Sequence, residues 1–102
     1  MSWNTFATVT ETVKALDAKK ISAVELATHY LDRADALQPM LNAYVTLDRE
    51  KTLAEAKVAD DNRAAGVAGP LLGVPVAHKD IYLIDGWRTT CGSKMLENFV
   101  AP

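Results

Sequence analysis

Residues 73–82 read GVPVAHKDIY, and how they are read decides the fold. Seven of the ten are glycine or apolar, as in a buried strand, yet His78, Lys79 and Asp80 interrupt the run. On a strand, alternation puts Val74, Val76, His78 and Asp80 on one side and Pro75, Ala77, Lys79 and Ile81 on the other. Neither side is cleanly polar, so a solvated face explains Lys79 poorly. Lysine is seldom fully buried unless paired. Two explanations stay open at this point. Lys79 is a strand-end lysine, paired with Asp80 or snorkelling to water, which spacing alone favours. Or it is an amine that has lost solvation, so that its pKa falls and its neutral form can serve as a general base to a proton donor within reach.

Working outward, the predicted strand runs from Leu72 to about Ile84, after a loop marked by Gly66, Gly69 and Pro70 and before a turn at Asp85-Gly86. Thr89 to Ser93 form a small-residue loop, and Ser93 is placed to cap a short helix through Met95 and Leu96. Towards the N-terminus, Phe6, Val9, Val13 and Leu16 recur at helical spacing. Asn4 or Thr5 would cap this first helix, with Lys19-Lys20 near its C-terminal end. Ser22 and Glu25 have capping-box spacing. They open a second helix with an apolar stripe of Val24, Ala27, Tyr30, Leu31, Ala34 and Leu37, stopped soon after by Pro39. Leu41 to Leu47 read as a short strand. Asp48 caps a charged, alanine-rich surface helix that runs to about Ala65 and ends at Gly66.

The order α-α-β-α-β predicts an α/β protein with helices packed on a sheet. Two long strands are too few for a stable sheet, and Met95, Leu96, Phe99 and Val100 need burial. The expectation is therefore that residues 1–102 are the truncated front part of a single larger α/β domain rather than a complete one.

Composition narrows the function classes. The 102 residues are 49% hydrophobic and 24% charged, with a formal net charge of −2. That balance gives no electrostatic grip on nucleic acid or an anionic membrane. One cysteine, Cys91, excludes an internal disulfide and a cysteine metal cluster. The N-terminus has no signal-peptide pattern, and no apolar run approaches a bilayer span. A cytoplasmic protein is expected.

Other candidates for chemistry are weaker than Lys79. His78 and Asp80 share a strand face, but a metal needs a third ligand, and His29 lies apart on the second helix. The Thr89–Ser93 loop with Lys94 lacks the glycines of a phosphate cradle. Cys91 has no local base and reads as a buried small residue. Ser93 and Lys79 would make a serine–lysine dyad only if they met. Asp80 is better suited to accepting hydrogen bonds from a following turn.

The stretch Gly69-Pro70-Leu71-Leu72-Gly73-Val74-Pro75-Val76-Ala77-His78-Lys79-Asp80, followed by Thr89-Thr90-Cys91-Gly92-Ser93-Lys94, resembles the amidase signature family. The helix from Ser22 to Leu37 and the Leu41–Val45 segment also look like that family's N-terminal part, so the resemblance covers essentially the whole chain. It implies a mixed sheet flanked by helices and amide cleavage by a Ser–cis-Ser–Lys triad. Lys79 maps onto the catalytic lysine, and no serine of this chain maps onto either serine, so the chain alone is expected to be inactive. Within the family, TTCGSKMLENFVAP is most similar to the glutamine-hydrolysing subunits of tRNA-dependent amidotransferases. For those the resemblance implies glutamine as substrate and a heterotrimer completed by the B and C subunits. The tRNA is reached through the B subunit, which also uses ATP and Mg, and this chain holds no cofactor. Alternatives are another amidase signature hydrolase acting on small amides, or a non-catalytic helical interaction module.

Overall fold

A computed structural model describes residues 2–67 and 69–102. Three helices form in order, α1 (Val9–Asp17), α2 (Ala23–Leu41) and α3 (Arg49–Ala64), followed by a short 3₁₀ turn at Lys94–Leu96. The described residues divide into two compact units. One runs from the N-terminus to Ala43 and includes Leu47–Pro75; the other joins Tyr44–Thr46 to Val76–Pro102.

The first unit is helical, and its helix ends are closed by side chains. Thr8 caps α1 with a reciprocal box: its hydroxyl accepts from Glu11 N at 3.1 Å, and Glu11 Oε2 accepts from Thr8 N at 3.2 Å. The cap expected at Asn4 or Thr5 therefore lies further on. Asn4 instead accepts from Phe6 N at 3.0 Å, in a turn that precedes the helix. Because α1 starts at Val9, Phe6 is out of helical register. It is 80% exposed, with the Arg33 guanidinium 5.4 Å from its ring centre, and the buried residues of α1 are Thr12 and Leu16. The helix closes in a Schellman arrangement, with Lys20 N donating to Ala15 O, Lys19 N to Leu16 O, and Lys19 left-handed at φ 57°.

The Ser22–Glu25 box at the start of α2 forms as the spacing predicts. The carboxylate of Asp60, on α3, adds to it by accepting from Ala23 N at 2.7 Å and Val24 N at 3.1 Å. Three otherwise orphaned N–H groups of the first turn are thus satisfied, two of them by a side chain from another helix. Helix α2 continues through Pro39, which lies in its last turn, to Leu41. It then ends on Asn42, which is left-handed at φ 47°.

Leu16, Ile21, Ala23 and Leu26 form the core, with Trp3, Ala15, Tyr30, Ala56, Ala59 and Val74 packed around them. The surface helix α3 buries none of its own residues and contributes only the two alanine faces to this cluster. Arg63 fastens its end, pairing with Asp17 and donating to Leu72 O at 2.6 Å. Gly73 then brings the chain close against the core. Its φ is +86°, and a Cβ there would lie 3.2 Å from that of Ala23. Only glycine meets both conditions without strain.

The two predicted strands do not form, so the α-α-β-α-β order and its sheet are corrected: among the described residues there is no strand. Leu41 ends α2, and residues 42–48 run as loop to the Asp48 cap. Residues 70–73 are turns, residues 74–79 have no regular secondary structure, and a turn follows at Asp80. Such a segment becomes a strand only when its N–H and C=O groups find a second strand. Among the described residues none pairs with 74–79.

The second unit carries one isolated antiparallel bridge, Arg88 to Val100. Thr89 N donates to Phe99 O and Ala101 N to Trp87 O, each at 3.0 Å. The Asp85-Gly86 turn forms as predicted, with Trp87 N bonded to Ile84 O, and Ser93 caps the 3₁₀ turn through Met95 N. Arg88 draws three loops together. Its guanidinium donates to Thr46 Oγ1 at 3.0 Å, Glu97 O at 2.7 Å and Val45 O at 3.0 Å.

Candidate functional site

Lys79 is the last residue of the irregular 74–79 segment, and its side chain is exposed, as are those of Val76, Ala77 and His78. These 102 residues do not themselves bury the amine. Its carbonyl accepts from Ile81 N at 2.7 Å and Tyr82 N at 3.2 Å, so the chain turns sharply just after it. Of the two forms of the simpler reading, a pair with Asp80 or a side chain reaching water, the exposure of Lys79 fits the second. Among the described residues no ion pair joins Lys79 to Asp80.

The Asp80 carboxylate is occupied by the loop ten residues on. It accepts from Thr90 N at 2.8 Å and from the Thr90 hydroxyl. Gly92 N donates in turn to that hydroxyl at 3.2 Å, and Cys91 N donates to the Asp80 carbonyl at 2.9 Å. The Thr90 hydroxyl, then the Thr90 N–H, with help from the Gly92 N–H and Arg88, hold the Asp80 carboxyl below the usual carboxylate range against partial desolvation. Thr89 completes the tie, its hydroxyl donating to Tyr82 O at 2.9 Å. Thr89 and Thr90 are both buried. Cys91 and Gly92 are left-handed in succession, at φ 51° and 71°, which turns their N–H groups back towards Asp80 and Thr90.

Asp80 thus accepts from a later loop, as its sequence position suggests, although the donors are Thr90 and Cys91 rather than the adjacent turn. The same loop is no phosphate cradle, because its N–H groups already serve a carboxylate and a threonine. Cys91, expected to be buried, is an exposed free thiol, since the left-handed turn carries its side chain outward. Ser93 accepts from Met95 N at 3.2 Å as a cap, and no hydrogen bond joins it to Lys79 among the described residues. Ser22 is likewise a cap. His29 lies 2.8 Å from the Thr5 hydroxyl, within the helical unit. No group of three potential metal ligands exists among the described residues, and no described helix is long and apolar enough to cross a membrane. Sequence reasoning missed Arg88, Asp60 and Arg63. Their partners are mostly backbone groups or residues distant in sequence, which leave no periodic trace.

Comparison with known proteins adds an independent line. The Amidase family profile matches residues 25–102. The A subunit of a glutamyl-tRNA(Gln) amidotransferase from Thiobacillus denitrificans is 66% identical over 87 residues, which are 85% of this chain and 18% of that protein. The A subunit of the same name from Chromobacterium violaceum is 58% identical over 98 residues, 96% of this chain and 20% of the relative. That from Dechloromonas aromatica is 57% identical over 96 residues, 94% of this chain and 20% of the relative. The chain spans about a fifth of the length of these curated relatives. It belongs to the amidase family.

Proposed function

We propose that this amidase-family chain is the lysine-bearing part of a glutamine-hydrolysing subunit that supplies ammonia for amidation of Glu-tRNA(Gln) or Asp-tRNA(Asn). The observation that carries the reading is the 66% identity to a relative named as the A subunit of an amidotransferase. Support from the site is that Lys79 projects, exposed and unpaired among the described residues, from a backbone fixed by the 89–92 loop.

The chemistry follows from the residue types. A nucleophilic serine attacks the amide carbon of glutamine, and its proton passes through a second serine to the Lys79 amine. Backbone N–H groups stabilise the oxyanion, the proton returns through the relay to the amide nitrogen, which leaves as ammonia, and water then releases glutamate from the acyl-serine. Neither serine is supplied by this chain: Ser22 and Ser93 are caps, and Ser2 lies exposed near the N-terminus. The relay is completed by residues outside these 102. In this reading the B and C subunits of a heterotrimer are the partners. The tRNA is met through the B subunit, where ATP and Mg also act.

The test uses a hybrid. The 87 matched residues of the Thiobacillus denitrificans relative are replaced by those of this chain, and the hybrid is assembled with that organism's partner subunits. The hybrid is expected to release ammonia from glutamine, and the isolated 102-residue chain to release none. A folded, assembled hybrid without glutaminase activity would overturn the role. Turnover by the isolated chain that disappears in Lys79→Ala would overturn the incomplete relay.

A further inference from the structure

We propose that Asp80 is a positioning residue: together with Thr90 it forms a latch that fixes the backbone from which Lys79 projects. The inference rests on the reading of Lys79 as the proton acceptor, and goes beyond it by assigning a task to its neighbour.

A lysine side chain is long and freely rotating, so its aim depends on how firmly its own backbone is held. On the N-terminal side of Lys79, Val76, Ala77 and His78 are exposed, and no backbone ladder holds them among the described residues. Order is supplied from the other side. Two bonds to the Lys79 carbonyl close the turn at Ile81 and Tyr82. Three further ties join this turn to residues 89–91: the Asp80 carboxylate to Thr90, the Asp80 carbonyl to Cys91 N, and the Thr89 hydroxyl to Tyr82 O.

The polarity of the latch matches a carboxylate. The Thr90 N–H and O–H both donate to Asp80, while the Thr90 oxygen accepts from Gly92 N. An ionised carboxylate is acceptor-only and meets both donors. Asparagine would turn an amide N–H₂ towards one of them and break the direction of the chain. The acid beside Lys79 is therefore there to hold the loop, and the amine is left free of an ion pair with it. An amine committed to such a pair would be a poorer proton acceptor.

Kinetics of the hybrid subunit decide the matter. Asp80→Asn and Thr90→Val are each expected to lower kcat for glutamine about 10- to 100-fold, as a misaimed catalytic group does. KM should stay within about twofold, because the latch touches no substrate. Thr90→Ser keeps the hydroxyl and is expected to stay within about threefold of the unmodified kcat. That rescue separates the hydroxyl's bonds from simple packing of residue 90. If Asp80→Asn does not assemble, the Thr90→Val and Thr90→Ser pair decides alone. Unchanged kcat in Asp80→Asn and Thr90→Val, with Lys79→Ala inactive, would overturn the latch and leave the reading of Lys79 standing. An active Lys79→Ala would overturn both.

Discussion

Each of the two units is held together internally, and by opposite means. In the helical unit, Leu16, Ile21, Ala23 and Leu26 exclude water from a small apolar core, and capping side chains close the helices around it. In the second unit, few side chains are buried, and two charged residues gather the loops: Asp80 holds residues 90–91, and Arg88 holds residues 45, 46 and 97. Apolar packing makes an inert body. Polar ties leave a backbone that is held yet close to solvent.

The contrast is broken most severely in the core. Leu26 is fully buried, and Leu26→Ala is expected to destabilise the helical unit by about 2–5 kcal/mol. Chemical denaturation followed by helical circular dichroism reads this as a lower midpoint; an unchanged midpoint would mean that the apolar cluster is not what holds the helices. Asp60→Ala should cost less, about 0.5–2 kcal/mol, for the loss of two capping bonds to α2. The same denaturation series checks it, and faster amide exchange at Ala23 and Val24 should accompany it.

The smallest effect is local and pH-driven. A folded-state pKa below the unfolded value means that the Asp80 latch contributes its full stabilisation above about pH 4, the ordinary aspartate value. The contribution is lost as pH falls through the depressed folded value. Amide exchange at Thr90 and Cys91, corrected for the intrinsic effect of pH, should therefore accelerate on acidification before the helical signal is lost. Loss of both together would show that the second unit does not depend on Asp80.

The helical unit was largely legible in the sequence, because caps and periodicity are local signals. Ser22–Glu25 and Asp48 cap the helices predicted for them, as Ser93 does in the second unit. The cap of α1 was misplaced because Asn4 and Thr5 have the right chemistry, while Thr8 has that chemistry and also Glu11 three residues on. The strands failed for a non-local reason. Residues 74–79 have strand composition, but a ladder needs a partner that composition does not reveal. At the site, Lys79 could be singled out as an ill-placed charge, and its assignment to a catalytic lysine came from family resemblance. The task of Asp80 could not be read as fully, since its donors lie ten residues away in a loop whose conformation depends on Cys91 and Gly92 being left-handed.

The most direct measurement is the rate of ammonia release from glutamine by the assembled hybrid subunit carrying Lys79→Ala. Loss of the proton acceptor should lower kcat by at least about 10²-fold, the lower range for positioned general acid–base catalysis, while the complex still assembles. An assembled Lys79→Ala hybrid that hydrolyses glutamine at the unmodified rate would contradict the account.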